Sequence, residues 1–189
     1  MARKIIALTG EMGSGKDTVA KYLREKYGAQ SFRFSDVLRT LLRELELPIT
    51  RENLTGLSQA LRALYGENVL ALSIARKASV LPADTLLVID GIRRESDLLP
   101  FREQGEIMLI YIDAPLETRF ERIQKRMQNE DEAEKTLEEF KGDHELETEI
   151  QVPLLREKAT AVIDNSGTLE ELFAQVEEYL EKLAVKQAL

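Results

Sequence analysis

The sequence has 189 residues, 43% of them hydrophobic and 32% charged, a size and composition that suit one globular domain with its own core. It contains no cysteine, which excludes a disulfide framework and a cysteine-based zinc site, and no apolar run approaches the roughly 20 residues of a bilayer span. The formal net charge of −8 is carried by residues 129–149, and the balanced remainder argues against nucleic-acid binding through a broad basic surface.

The chain begins with an apolar strand over residues 5–9 that leads directly into a glycine-rich loop. Gly10, Gly15 and Lys16 satisfy the spacing of a phosphate-binding P-loop, and Gly13 adds a third flexible position. Glycines allow consecutive backbone N–H groups to turn inward around a phosphate. The following helix points its positive end at the same anion, and the lysine reaches the outer phosphates. The loop therefore predicts binding of a nucleoside triphosphate.

The loop departs from the strict motif directly after its lysine. Asp17 stands where serine or threonine is usual, and Thr18 comes one position later. Two roles remain open for Asp17, a contact to Mg²⁺ through water and a helix cap, since acids are common in a first helical turn. We expect Mg²⁺ to be held, directly or through water, by Asp17, Thr18 and Asp90.

The remaining elements alternate between helices and strands. Helix 15–27 is followed by a short strand over 30–34, and Ser35 or Asp36 can cap a helix that ends near residue 45. After Pro48, one helical stretch opens at Thr50 and another covers about 67–79. Strands 85–90 and 107–113 each end in an aspartate, Pro115 starts a helix to about Gln128, strand 161–163 follows, and Thr168 caps the last helix. This order predicts a parallel α/β sheet with its ligand at the carboxyl ends of the strands.

Charged residues at those strand ends are candidates for chemistry. Asp90 lies where a P-loop enzyme needs a carboxylate near magnesium or near the attacking oxygen, whereas Asp113, followed by Ala-Pro, suits a structural helix entry. Phosphoryl transfer also needs positive charge around the acceptor and the migrating group. Three arginines at helical spacing form either a salt-bridged surface stripe or a lid over the triphosphate: Arg119, Arg122 and Arg126.

Several of these segments resemble known kinases. Residues 35–39, Ser-Asp-Val-Leu-Arg, resemble the acceptor-site element of nucleoside monophosphate kinases, and residues 90–93, Asp-Gly-Ile-Arg, resemble a shortened form of their Asp-Gly-aromatic-Pro-Arg element. The tail over 162–172 is instead similar to dephospho-CoA kinase. The whole chain most resembles a set of archaeal P-loop kinases related to both, through residues 53–54 and 61–66 as well as the Asp-Gly-Ile-Arg element.

The resemblance implies a fold and a domain plan. The fold would be a three-layer α/β P-loop NTPase, with a five-stranded parallel sheet in the order 2-3-1-4-5. The chain would form a single kinase domain over residues 1–189, to which a helical acceptor-binding insert and an acidic lid-like segment are attached. We expect the core at 1–34, 80–128 and 150–189, the insert at 35–79, and the lid-like segment at 127–149.

The resemblance also implies an activity, which is ATP-dependent phosphoryl transfer to a nucleoside or deoxynucleoside monophosphate with Mg²⁺. Dephospho-CoA kinase is the first alternative, although Ser35-Asp36 stands in place of its Asp-Ala-Asp element. The second is an ATP-binding sensor with vestigial turnover, which would not need the acceptor arginines. We expect a cytoplasmic protein that binds small nucleotides and neither nucleic acid nor membranes, and the oligomeric state is left open.

Each candidate site residue has an expected role under this interpretation. The expected catalytic residues are Lys16, Asp90, Arg119, Arg122 and Arg126. The expected ATP-binding residues are Gly10, Gly13, Ser14, Gly15, Lys16, Asp17, Thr18 and Asn165. The expected acceptor-binding residues are Asp36, Arg39, Arg62 and Arg93.

Overall fold

A computed structural model describes residues 3–126, 136–145 and 149–186 of the chain. Five parallel strands form one sheet in the order β2-β3-β1-β4-β5, which confirms the predicted topology. The strands are β1 (Arg3–Thr9), β2 (Gln30–Arg33), β3 (Leu87–Ile92), β4 (Gly105–Asp113) and β5 (Ala161–Asp164).

Helices cover both faces of the sheet and give the three layers. The longer ones are α1 (Lys16–Tyr27), α2 (Phe34–Glu44), α3 (Arg51–Tyr65), α4 (Val69–Ser79), α6 (Leu116–Arg126) and α9 (Leu169–Lys186). The shorter ones are α5 (Leu99–Arg102), α7 (Leu137–Gly142) and α8 (Leu155–Lys158). Among the described residues, none of these helices combines the length and apolar character needed to cross a membrane.

The side-chain alternation of β1 explains why two cores form. Ile5 and Ala7 face a core made with α2, α3 and α4, whereas Ile6 and Leu8 face a core made with α1 and α9. All four side chains are almost completely buried, as expected for a central parallel strand whose successive side chains point to opposite faces. The loop after β1 is thereby held between two packed layers at the carboxyl edge of the sheet.

The element boundaries differ from the sequence prediction at the second and third strands. β2 ends at Arg33 and α2 begins at Phe34, so neither Ser35 nor Asp36 is the N-cap residue. β3 continues two residues past Asp90, because a register shift between Leu8 and Thr9 lets Thr9 pair with Ile92. Asp90 is therefore a residue within the strand and not its end.

Short elements between the main ones were not predicted. A 3₁₀ turn over Glu95–Leu98 and helix α5 connect β3 to β4, and α8 precedes β5. They are four residues long each, too short to show helical periodicity.

Thr50 and Thr168 do accept hydrogen bonds from the backbone of the first turns of α3 and α9, as predicted. Residues 127–135 and 146–148 of the expected lid-like segment 127–149 lie outside the described residues; the described parts are Thr136, α7, a following 3₁₀ turn and Glu149.

Candidate active site

The glycine loop after β1 needs its glycines for backbone geometry. Gly10, Gly13 and Gly15 all have positive φ angles, of 138°, 79° and 101°. A Cβ atom at Gly13 would lie 2.5 Å from the carbonyl oxygen of Arg119, and one at Gly15 would lie 2.1 Å from Nδ2 of Asn165. The loop is therefore packed tightly against α6 and against the turn after β5, which fixes its shape.

We expect Gly13→Ala to destabilise the fold by about 1–3 kcal/mol, because the substitution adds both backbone strain and a clash with the backbone of α6. Urea unfolding monitored by circular dichroism measures the change. Gly56→Ala is the control: Gly56 is exposed in the middle of α3 with open space around it, so alanine should stabilise the helix by about 0.5–1 kcal/mol. Equal effects of the two substitutions would contradict this account of the loop.

Lys16 begins α1 and turns back over the loop. Its Nζ donates hydrogen bonds to the carbonyl oxygens of Gly10, at 2.7 Å, and Glu11, at 2.9 Å. It also lies 3.4 Å from Oγ of the buried Ser14. The ammonium group is thus held at the mouth of the loop, where a phosphate oxygen could replace the carbonyl oxygens as its partner.

Two side chains from other elements support the loop. Asn165, after β5, is buried and donates from Nδ2 to the carbonyl oxygen of Ser14 at 2.7 Å. Arg122 donates from Nη2 to the carbonyl oxygen of Asn165 at 2.9 Å. Its other terminal nitrogen, Nη1, is buried beside Gly15 and has no hydrogen-bond partner among the described residues. A buried donor of this kind suits an anion placed on the loop.

Arg119 connects the loop to α6 and α7. Its guanidinium is buried, donates to the carbonyl oxygens of Ala114 at 3.0 Å and Met12 at 3.4 Å, and pairs with Glu11 at 3.2 Å. The same guanidinium lies over the ring of the buried Phe140, which packs with Met12. Of the three expected lid arginines, Arg119 and Arg122 contact the loop and its support, and the side chain of Arg126 lies outside the described residues.

Opposite the loop, Arg33 joins two carboxylates. Its Nε donates to Oδ2 of Asp90 at 2.8 Å, and its Nη2 lies 3.5 Å from Oδ2 of Asp17. Arg33 and Asp90 are partners in the register of β2 and β3, so their side chains leave the same face of the sheet. Asp17, at the start of α1, and Asp90, on β3, thus share Arg33 as their cation.

The Asp90 carboxyl of this group has a perturbed pKa. Burial raises its pKa above the ordinary value of 3.8, and the nearby Asp17 raises it further. Lys16 and Arg33 oppose the shift without cancelling it. An additional cation beside Asp90 and Asp17 would therefore relieve the electrostatic cost of keeping both ionised.

An arginine-rich wall continues the same cleft away from the loop. Met12, Gly13, Lys16 and Asp17 line one end of the cleft. The other end is formed by α2, one face of α3, the start of α4 and the end of β3, with Ser35, Leu38 and Leu54 among its lining residues. The cationic side chains along the cleft include Lys16, Arg33, Arg39, Arg51, Arg62 and Arg93.

The four acceptor-binding residues expected from the sequence have different environments. Arg39 is buried in the wall of the cleft, and Arg93 lines it at the end of β3. Arg62 also lines the cleft, but its Nη2 donates to the completely buried Asp97 at 3.0 Å. Asp97 in turn accepts from the backbone N–H of Arg93 at 3.1 Å, so Arg62 also supports the loop that carries Arg93.

Asp36 is not among the residues that line the cleft. α2 begins at Phe34, so positions 35, 38 and 39 share the inward face of the helix, while Asp36 and Thr40 lie on its exposed face. Asp36 is thus exposed outside the lining of the cleft, and its expected role at the acceptor stays a prediction. Thr18, half-buried in the first turn of α1, is not among the lining residues either.

Two cationic residues of the cleft, Arg33 and Arg51, are not among the site residues expected from the sequence. Arg33 could be found only from the pairing register of β2 with β3. Arg51 carried a signal that was overlooked: it is the first residue of α3, directly after the Thr50 cap. A cation at a helix N-terminus is disfavoured by the helix dipole. Such a local conflict is expected at functional positions.

Comparisons with known proteins agree with this geometry. The AAA domain family matches residues 6–148. A UPF0200 protein of Sulfurisphaera tokodaii is 32% identical over 181 residues, which cover 95% of this chain and 97% of the relative. A UPF0200 protein of Thermococcus kodakarensis is 31% identical over 188 residues, which cover 96% of this chain and 99% of the relative. Both relatives thus align along nearly their whole length.

Solved structures show the same fold. TT1252 from Thermus thermophilus superposes with a TM-score of 0.63 at 24% identity, covering 97% of this chain and 99% of that one. A gluconokinase from Sinorhizobium meliloti superposes with a TM-score of 0.63 at 16% identity, covering 98% of this chain and 95% of that one. A shikimate kinase from Acinetobacter baumannii superposes with a TM-score of 0.53 at 18% identity, covering 98% of this chain and 94% of that one. The neighbours support a P-loop kinase fold without singling out nucleoside monophosphate or dephospho-CoA kinases. The chain belongs to the UPF0200 family and contains an AAA domain built on the P-loop kinase fold.

Proposed function

We propose that the protein is an ATP-dependent phosphotransferase of the nucleoside monophosphate kinase class. The observation that carries this proposal is the single cleft that joins the P-loop to an arginine-rich wall. A triphosphate donor needs only the first part of this cleft. The continuation lined by Arg39 and Arg93 supplies positive charge for a second anionic substrate.

The donor end fits ATP and Mg²⁺. Lys16 exchanges its loop carbonyl partners for phosphate oxygens, and the buried Nη1 of Arg122 adds a donor beside Gly15. Carboxylates at Asp17 and Asp90 are the oxygen ligands that Mg²⁺ prefers, and one or two of them with substrate phosphates suffice. Mg²⁺ bound there would neutralise charge between the phosphates. Asn165 would support the loop through its hydrogen bond to the carbonyl oxygen of Ser14, and the adenine would lie near the turn that follows Asn165.

The acceptor end makes an in-line transfer possible. An oxygen of the acceptor phosphate, held by Arg39 and Arg93, forms a bond to the γ-phosphorus while the bond to the β–γ bridging oxygen breaks and ADP leaves. An ionised phosphate acceptor has no proton to lose, so positioning and charge carry the rate. Lys16 and Arg122 would stabilise charge on the moving group, and Arg119, through its bonds to Ala114 and Met12, would keep the loop in position.

A hydroxyl acceptor is the second candidate, and one observation favours it. The pKa of Asp90 is raised by burial, which suits a general base that takes a proton from a hydroxyl group. Dephospho-CoA is such an acceptor, and shikimate kinase and gluconokinase are among the solved structures with this fold. A nucleotide sensor with vestigial turnover is less favoured, because it would not need Arg39 and Arg93 in the cleft.

An acceptor panel distinguishes these functions. The protein is incubated with ATP and Mg²⁺ together with nucleoside monophosphates, deoxynucleoside monophosphates, dephospho-CoA, shikimate or gluconate, and ADP release is followed. The proposal expects release that depends on a nucleoside or deoxynucleoside monophosphate. Stimulation by dephospho-CoA or another hydroxyl acceptor alone would replace it with the second candidate. ATP binding without stimulation by any acceptor would favour the sensor.

We expect Arg39→Met to raise the KM for the acceptor by about 10- to 100-fold, with much less effect on the KM for ATP. The substitution keeps the buried length of the side chain and removes one charged hydrogen-bonding group, which accounts for about 1.5–3 kcal/mol. Steady-state kinetics with each substrate varied in turn measure the split. Arg43→Met is the matched control, because Arg43 lies one turn later on the exposed face of α2. Equal increases in the two KM values would place Arg39 outside the acceptor site.

A further inference from the structure

A buried glutamate interacts with two arginines of the cleft. Glu149 is only 4% exposed, and its Oε1 atom contacts both Nη2 of Arg51 and Nη1 of Arg93. Arg51 starts α3 and Arg93 follows β3, so one carboxylate oxygen bridges two separate elements. Glu149 comes from a third part of the chain, before α8.

The two arginines have an electrostatic need for an anion. Burial, as the largest cause, and the neighbouring guanidinium groups of Arg51 and Arg62 together lower the pKa of Arg93 to about 9. Asp97 and Asp90 act in the opposite direction without restoring it. The N-terminus of α3 adds its own positive potential at Arg51. An anion that bridges the two guanidinium groups therefore relieves repulsion at this point of the cleft.

The contact geometry is the one that an acceptor would use. A phosphate or carboxylate oxygen binds arginine through charge-assisted hydrogen bonds, and both Arg51 and Arg93 line the cleft that begins at the P-loop. The carboxylate of Glu149 already makes these contacts. An incoming anionic group at the same guanidinium groups would have to take the place of that carboxylate.

We propose that Glu149 is an internal ligand of the acceptor subsite, whose carboxylate exchanges with the anionic group of the acceptor at Arg51 and Arg93. The inference rests on the proposed function for the identity of the acceptor, but not for the exchange itself. Arg51 becomes an acceptor-binding residue that neither the motif nor its spacing indicated. The exchange lowers the apparent affinity for the acceptor, since only the fraction of molecules with the subsite open can bind.

The alternative is a permanent clamp, in which Glu149 holds the two like-charged arginines together while the acceptor binds elsewhere. The two roles predict opposite effects of removing the charge. An internal ligand competes with an added anion, so its neutralisation strengthens anion binding. A clamp organises the arginines, so its neutralisation weakens anion binding or leaves it unchanged.

Inorganic phosphate is the probe, and its binding to the full chain is measured by isothermal titration calorimetry without ATP. We expect Glu149→Gln to lower the Kd for phosphate by about tenfold, which corresponds to about 1.4 kcal/mol. Glu145→Gln is the matched control, because Glu145 is an exposed acid in the same part of the sequence, and it should leave the Kd unchanged. Adding Arg51→Met to Glu149→Gln should abolish the gain. An unchanged or raised Kd in folded Glu149→Gln would overturn the proposal.

A measurement on the unmodified protein covers the case in which Glu149→Gln does not fold. Saturating phosphate should speed amide hydrogen exchange in the residues next to Glu149, because the carboxylate loses its partners when it is displaced. Slower exchange there on phosphate binding would support the clamp instead. Neither readout involves turnover. The proposed replacement of the Glu149 carboxylate by an anion can therefore be confirmed even if the acceptor panel rejects a kinase. It can also be refuted while the kinase activity is confirmed.

Discussion

Lys16→Ala is expected to lower kcat for phosphoryl transfer by about a thousandfold or more while the protein stays folded. Lys16 is the cation held at the mouth of the loop by the carbonyl oxygens of Gly10 and Glu11. Charge placed where the transferred phosphoryl group passes acts mainly in the transition state, and single groups of this kind account for about 10²–10⁵-fold in rate. Coupled measurement of ADP release under saturating substrates gives the change in kcat.

The effect of Lys16→Ala on stability should be small by comparison. Its hydrogen bonds go to backbone carbonyls that are only partly buried, and such bonds contribute about 0.5–1.5 kcal/mol each. Lys21→Ala provides the matched control, because Lys21 is on the same helix with its side chain 64% exposed. Turnover by Lys16→Ala at the rate of the Lys21→Ala protein would show that the glycine loop is not the donor site.

The sequence was most informative where structure depends on local pattern. An apolar strand followed by Gly10 to Lys16 allows few arrangements other than a strand, a phosphate loop and a helix, and the structure has this order. The alternation of strands and helices, with the family resemblance, also led to the correct strand order. These features follow from periodicity and from the special conformations of glycine, both of which are visible in a single chain.

The site was less predictable because its contacts join residues far apart in sequence. Arg33 meets Asp90 through the register of two strands that are 57 positions apart. Arg51 and Arg93 meet through Glu149, for which no sequence pattern gives a reason. Asp36 is expected at the acceptor from the resemblance of residues 35–39 to an acceptor-site element, but a short motif does not fix which of its side chains face inward, because each residue along a helix turns by about 100°.

The prediction for Asp90 follows from its position between the two halves of the cleft. Asp90→Asn is expected to lower kcat by about a hundredfold or more, since under the proposed function it removes a carboxylate that would face the phosphates and their Mg²⁺. The substitution keeps the size of the side chain. The variant loses the ion pair between Arg33 and Asp90, but Arg33 retains Asp17 as an anionic partner at 3.5 Å.

The stability of Asp90→Asn should move in the opposite direction from its activity. Burial raises the pKa of Asp90 in the folded state above the ordinary 3.8. The folded protein therefore holds this proton more tightly than the unfolded chain. The resulting stabilisation is complete below pH 3.8 and is lost as the pH rises through the higher folded pKa. Asparagine cannot titrate, so the variant should lack this loss and unfold at an equal or higher temperature at pH 7.

Asp113→Asn separates this effect from a general effect of acids at the carboxyl edge of the sheet. Asp113 ends strand β4, which β1 separates from β3; its side chain is 37% exposed, and it pairs with Arg156 at 3.1 Å. Its loss should leave kcat unchanged and lower stability by at most about 1 kcal/mol, as for other exposed pairs. Thermal unfolding between pH 4 and 8, with kcat measured alongside, tests both variants. If Asp90→Asn loses stability at pH 7 together with activity, Asp90 is a structural ion-pair partner of Arg33. If it keeps stability and loses activity, the buried carboxylate is retained for function at a cost to the fold.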